Sequence, residues 1–435
     1  MLDLLFVNAC IITMSDECPV IKSGYLGVSD GKIACIGEGS CTEKATVVKN
    51  CAGNILMPGL INTHAHTAMS IMRGYADDYT LDEWLFKKVF PAEGRLDERA
   101  VAAGFRLGAA EMLRFGTTSI SDMYFYQPSI AAIAEKIGIK VSLSNALVAF
   151  DKDTYNPASD RSISETVELA TNWHGRANGR IRADAAIHGE YTSFTEARSC
   201  MAELAQKYGL TMHVHLSETK KEHEECKVRN GKTPARVLYD EGIFDSRTIA
   251  AHCVWAEEED LDIMREKGVS CAHNPISNMK LASGFANIKR MIDKGVNVAL
   301  GTDGCCSNNS HDLFEEIKAA ALIAKCINSD PTVINAYDAL KLATVNGARA
   351  QGREMECGRL CIGFDADVIM LDCDKPHIQP VYDPVSAAVY AAKGNDVCLT
   401  MVQGKILYEN GVFLSVDIEY AMKEAKTYGM ERVIG

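Results

Sequence analysis

A chain of 435 residues, 47% hydrophobic and 24% charged, is longer than one ordinary hydrophobic core, so one large domain with a smaller companion is expected. A formal charge of −13 with no offsetting basic patch argues against nucleic acid or an anionic membrane as a partner. No apolar run reaches the ~18 residues of a membrane span, and the start Met1-Leu2-Asp3-Leu4 lacks the basic stretch of a secretory signal, so a cytoplasmic location is expected.

Residues 1–57 alternate short β-rich runs with turns, which predicts a small antiparallel sheet. Runs 25–29 and 32–36 flank Asp30-Gly31, a strong two-residue hairpin signal. The same texture returns after residue 357, where 367–372 reads as a strand and 397–402 turns through Gln403-Gly404 into 405–408. Sheets at both ends must bury their apolar faces, and pairing with each other into one composite β-sandwich is the simplest solution. Residues 415–435 read as a terminal helix.

Between the ends, in residues 58–357, apolar runs recur and each leads into a helical stretch. The runs are 59–63, 117–123, 140–147, 181–187, 211–216, 248–254, 268–272 and 296–301. The helical stretches include 97–115, 162–173, 195–208, 257–267 and 288–294, with apolar residues at three- and four-residue spacing. Eight strands alternating with helices predict an α/β fold, a (β/α)8 TIM barrel.

Active sites of such barrels gather at the C-terminal strand ends, and seven of the eleven histidines fall there. The first strand ends in His64 and His66, one residue apart and so on one face. Later ends carry Asp122, Asn145, His188, the pair His213 and His215, His252, His273 and Asp303. Of the fifth-strand pair, His215 lies nearer the rim and is the better ligand, while His213 suits the core. Asp303 is a lone carboxylate closing an apolar strand, which implies a metal ion or a buried histidine partner. The sixteen cysteines, with no CxxC pair, read as reduced small hydrophobes.

The stretches 58–66 (Pro-Gly-Leu-Ile-Asn-Thr-His-Ala-His), His215-Leu216-Ser217-Glu218, Ala251-His252-Cys253, His273-Asn274-Pro275 and Gly301-Thr302-Asp303-Gly304 resemble the amidohydrolase superfamily. Trp84-Leu85-Phe86, Pro91-Ala92-Glu93 and Ser307-Asn308-Asn309-Ser310 sharpen the resemblance to its deaminases of 5′-methylthioadenosine and S-adenosylhomocysteine. The resemblance implies one divalent ion, zinc being expected, on His64, His66, His215 and Asp303. Strand four ends in Ile187-His188, where binuclear relatives carry a carboxylated lysine, so a single ion is expected. It also implies Glu218 as proton shuttle, His252 beside the attacking water and Asp303 as proton acceptor. Glu93 would meet the ribose hydroxyls and His188 the purine ring, while Trp84, with Leu85 and Phe86, reads equally as the wall of an apolar pocket for the 5′ substituent or as a helix packed on the barrel. Gly189-Glu190 departs from the family's usual Ser-Pro.

The resemblance therefore predicts hydrolysis of an adenosine-type nucleoside to the inosine-type product and ammonia. Where homocysteine-binding members place an arginine near the end of strand three, this chain has Asn145, and Arg161 stands beyond a loop. A small apolar 5′ substituent, as in 5′-deoxyadenosine or 5′-methylthioadenosine, is expected over S-adenosylhomocysteine. One alternative keeps the chemistry on a free base or heterocycle such as guanine, a pterin or an aminotriazine; Glu93 disfavours it. Another is a non-catalytic barrel scaffold, against which none of the six metal-binding and catalytic positions is missing. Self-association is left open.

Overall fold

The computed structural model describes residues 1–435. Its centre is a curled parallel sheet whose strands are Leu60–His66, Thr117–Met123, Lys140–Ser144, Ile181–Ile187, Thr211–Leu216, Thr248–His252, Ser270–His273 and Asn297–Leu300. Each is buried along nearly its whole length, as expected of parallel strands covered on both faces. Three residues beyond Leu300 the chain pairs again: Asp303 opposes Ala65 and Gly304 opposes His66, so the last strand meets the first and the barrel closes. Gly301 and Gly304 permit that approach. A Cβ on Gly301 would lie 2.7 Å from the His64 carbonyl oxygen, and one on Gly304 2.5 Å from Met69 Sδ.

The expected strand and helix pattern is present with two local differences. Strand three stops at Ser144, and Ala146–Leu147 forms a separate short piece against the end of strand four, so Asn145 sits in the break. The helix expected over 162–173 is α-helical at Arg161–Glu168 and continues as a wider π turn at Leu169–Trp173. Local chemistry accounts for the helix ends: the Asp97 side chain accepts the Ala100 amide before Glu98–Arg114, and Gly209, at φ 64°, stops Thr195–Tyr208.

Both chain ends share one sheet of nine strands. Ile55–Pro58 runs antiparallel to Val368–Leu371 and joins the halves edge to edge, leaving neither edge bare. The composite β layer is thus a single hydrogen-bonded sheet, with Leu4, Phe6, Ile11, Leu26, Val368 and Leu399 in its own core. Lys140, fully buried at the base of barrel strand three, bonds Asp365 at 2.7 Å and also Asp367, which ties this sheet to the barrel. No helix is long and apolar enough to cross a membrane.

Candidate active site

Four strands deliver nitrogen and oxygen donors to one spot. Strand one brings His64 and His66, whose Nε2 atoms stand 3.3 and 3.2 Å from Asp303 Oδ1. Strand five brings His215, with Nε2 3.3 Å from His66 Nε2, and strand six brings His252. Ligand atoms of His64, His215, His252 and Asp303 all lie within 4.8 Å of one another, with His66 touching two of them. Ser217, His252 and Asp303 hold left-handed φ values of 47°, 71° and 60° beside or within this cluster, the backbone strain that marks functional strand ends.

The partners on the far side of each ring fix its orientation. His66 Nδ1 lies 2.6 Å from the Met123 carbonyl, His215 Nδ1 2.7 Å from the His188 carbonyl, and His252 Nδ1 2.8 Å from Asn278 Oδ1. An imidazole that donates from Nδ1 keeps its Nε2 lone pair free, and all three Nε2 atoms face the cluster. Burial pushes His64 down to about 4 and His215 well below its ordinary value, so both are neutral donors. Burial lowers His66 as well, but contact with Asp303 outweighs it and raises that group to about 9; a cation at the same spot would displace the proton. Burial would raise Asp303, yet the His64 and His66 rings beside it hold it well below the usual carboxylate range. Its Oδ2 accepts hydroxyls from Ser277 (2.6 Å) and Ser307 (2.8 Å), which leaves Oδ1 for the centre.

These donors fit a divalent metal. His64 Nε2 is buried with no hydrogen-bond partner, and the set of imidazoles with one carboxylate suits zinc. His213 stands one layer down with its Nε2 2.9 Å from His64 Nδ1, the core position expected for it. Asp122 accepts the Thr67 amide and the Gln127 side chain and so braces the turn after His66. His273 is buried, with neither ring nitrogen paired.

Above the donors lies a cavity walled mainly by apolar side chains, among them Met69, Trp84, Leu85, Phe90, Met123 and Phe125, with Glu93, Tyr124, His188 and Glu218 as polar features. Glu218 is 7% exposed, its Oε2 3.7 Å from His252 Nε2 and its Oε1 accepting the Ser283 hydroxyl at 3.3 Å. Burial raises its proton affinity above that of an ordinary glutamate. Burial likewise pushes Glu93 up to about 7, opposed by the hydroxyl of Tyr124. The Thr192 hydroxyl is 3.2 Å from His188 Nδ1, so its ring is fixed beside those of Phe90 and His215.

Trp84 and Leu85 are on the cavity wall, while Phe86 is 48% exposed. Asn145 is not on that wall; it is buried and donates to Glu165 Oε2 at 2.9 Å. Arg161 lines an outer recess that shares Phe90, Glu93, Phe125 and Val148 with the cavity. There its guanidinium stacks 4.0 Å from the Tyr126 ring centre and its Nε is 3.3 Å from Glu165 Oε1. Sequence reasoning did not single out Glu165, Ser277, Asn278 or Ser283. All four act across loops on residues far away in the chain, so no spacing announces them.

The model of the amidohydrolase family matches residues 55–407. The chain is 43% identical to the 5′-deoxyadenosine deaminase of Methanosarcina acetivorans, covering all of this chain and 99% of that one. It is 39% identical to the 5-methylthioadenosine/S-adenosylhomocysteine deaminase of Thermoanaerobacter pseudethanolicus, covering 97% of each. Among solved structures it superposes on an adenosine deaminase from Xanthomonas campestris with bound zinc at a TM-score of 0.93, 30% identity, and coverage of 100% and 99%. With barrel, donor cluster and relatives aligned nearly end to end, the chain belongs to the amidohydrolase family.

Proposed function

We propose that the protein is a hydrolytic deaminase of adenosine-type nucleosides with a small apolar 5′ group, releasing the inosine-type product and ammonia. One observation carries this reading: Glu218 faces His252 over the donor cluster, at the floor of a cavity that also presents Glu93. His64, His66, His215 and Asp303 would hold a divalent ion. His252 is set apart because its Nε2 has Glu218 as a partner, whereas His66 has only Asp303 and a second imidazole there. Such an ion, when bound, supplies the Lewis acidity that makes water nucleophilic near neutral pH.

The chain's own groups move the protons. Glu218, buried and with raised proton affinity, delivers a proton to the purine N1, which makes C6 electrophilic. Asp303 takes a proton from the incoming water and returns it to the departing amine, and its two serine donors keep the carboxylate aimed while it does so. His252, held through its Nδ1 by Asn278, contacts the attacking water and steadies the charge that develops on its oxygen. Water adds, ammonia leaves, the remaining hydroxyl proton passes to Glu218 and restores it, and the ring carbon ends as a carbonyl. Glu93 offers two acceptor oxygens to the two ribose hydroxyls, and His188 lies against the base.

The 5′ end is read from the walls near Glu93. Phe90, Phe125 and Val148 are apolar, and the one nearby cation, Arg161, is already paired with Glu165. A 5′-methyl or methylthio group fits that surface, while an amino-acid tail finds no free partner for its carboxylate. The names of the two relatives, one a 5′-deoxyadenosine deaminase, agree with this class. Sixteen unpaired cysteines suit a reducing compartment, and we place the enzyme in the cytoplasm. The test is ammonia release by the zinc-loaded protein from 5′-deoxyadenosine, 5′-methylthioadenosine, S-adenosylhomocysteine, guanine and a pterin. The first two should lead in kcat/KM by at least about tenfold, the worth of one missing charge-assisted bond. A free base in the lead would overturn the reading.

A further inference from the structure

Glu218 sits on a three-residue link, residues 217–219, between barrel strand five and helix Lys220–Asn230. In the first turn of that helix Glu222 is buried, 6% exposed, and forms no salt bridge. Its carboxylate accepts three consecutive amides instead: Ser217 at 3.0 Å on Oε1, and Glu218 at 2.8 Å and Thr219 at 3.4 Å on Oε2. Helix capping requires only the reciprocal pair between Thr219 and Glu222. The other two bonds fall on the acid itself and on the residue before it. Ser217 is gripped from further sides as well. Its hydroxyl is 3.0 Å from His223 Nδ1, its carbonyl accepts the Trp255 amide at 3.0 Å, and its φ of 47° is one that a serine keeps only under such restraint.

We infer that Glu222 is a positioning residue for the deamination reaction, fixing the backbone of Glu218 so that its carboxyl is aimed between His252 and the substrate base. The inference rests on the role proposed above for Glu218. Burial and the neighbouring Glu218 push Glu222 up to about 7, so the chain keeps a costly acid where a neutral cap would serve the helix equally well. Removing one of its oxygens frees amides that nothing else in the link is placed to hold.

Glu222→Gln keeps one acceptor oxygen, so either the Ser217 bond or the Glu218 and Thr219 bonds are lost. A displacement of about 1 Å at a catalytic group costs on the order of a hundredfold. With the zinc-loaded protein and 5′-deoxyadenosine, kcat should fall about 10- to 100-fold. KM should stay within about threefold and the metal content at one ion per chain. Thr219→Ala removes the cap hydroxyl from the same helix and is the structural control: Tm drops while kcat stays within about threefold. Retention of kcat in Glu222→Gln, or a loss of kcat that tracks Tm equally in both variants, refutes the inference. If Glu222→Gln does not fold, Glu222→Asp keeps the charge, shortens its reach and is judged by the same kcat, KM and Tm criteria. An inactive wild type would instead count against the deaminase reading, so the two failures are distinct.

Discussion

Substituting Glu165 tests whether Arg161 is withheld from substrates that carry a carboxylate. Arg161 has a half-exposed side chain, and its pair with Glu165 is of the exposed kind, worth about 0.2–1 kcal/mol. A ligand carboxylate bound by a freed guanidinium gains about 1.5–3 kcal/mol. In the variant a ligand carboxylate no longer has to break the Arg161–Glu165 pair before it binds, so the gain over wild type is the worth of the pair itself, about 0.2–1 kcal/mol or roughly 1.4- to 5-fold. Glu165→Gln keeps an oxygen for the Asn145 side chain and the Gln127 amide, which Glu165 now accepts at 2.9 and 3.1 Å, so the local fold should survive. In steady-state ammonia release, kcat/KM for S-adenosylhomocysteine should rise by that factor. The value for 5′-deoxyadenosine should stay within about twofold, and Glu165→Gln/Arg161→Ala should lose the gain. A gain that persists in the double variant, or no gain with 5′-deoxyadenosine turnover intact, refutes the assignment of Arg161 and Glu165 to 5′ selectivity.

Removing the metal with a chelator should abolish deamination and lower Tm, since ligand binding to the native state alone stabilises it, and added zinc should restore both; calorimetry beside elemental analysis at one ion per chain checks this. Lys140→Met leaves Asp365 and Asp367 buried without their shared cation and should cost about 3–5 kcal/mol in denaturant unfolding, whereas a triple change to Met, Asn and Asn should recover much of it. Burial alone would raise Asp365, but Lys140 and Lys32 hold it below its ordinary value. Its contribution to stability is therefore present above about pH 4 and lost as pH falls through the folded-state value, and Lys140→Met should flatten that acid limb in a pH series of unfolding curves.

The barrel was legible because its strands are buried on both faces and read as apolar runs ending in polar residues. Both hairpin turns, Asp30-Gly31 and Gln403-Gly404, have positive φ at each residue, which is why those dipeptides are such clear signals. The histidines stood out because one strand end after another carried the same residue type. Less could be seen where a side chain answers another across a loop. Glu165 reaches back to Asn145, Ser277 to Asp303, and Asn278 to His252, over separations of 20 to 26 residues that follow no helical or strand period. Asn145 at the end of strand three looked like part of the cavity, but the break there turns it toward Glu165. The π-helical turn at Trp84–Val89, which leaves Trp84 and Leu85 on the wall and Phe86 outside, has no spacing signature of its own.

The seam between Ile55–Pro58 and Val368–Leu371 bears on how the chain is made. About 310 residues separate the two partners, and nearly the whole barrel lies between them. At ~5–20 residues per second the ribosome takes roughly 15 to 60 s to cover that distance. For that time Ile55–Pro58, an apolar strand buried in the finished fold, has an open edge of the kind that recruits other strands. The barrel strands themselves pair in sequence order from the first to the eighth, so each can join the growing sheet as it emerges. The nascent protein is thus most exposed to aggregation at its first sixty residues, and a chaperone that shields this segment would help most before residue 371 is synthesised.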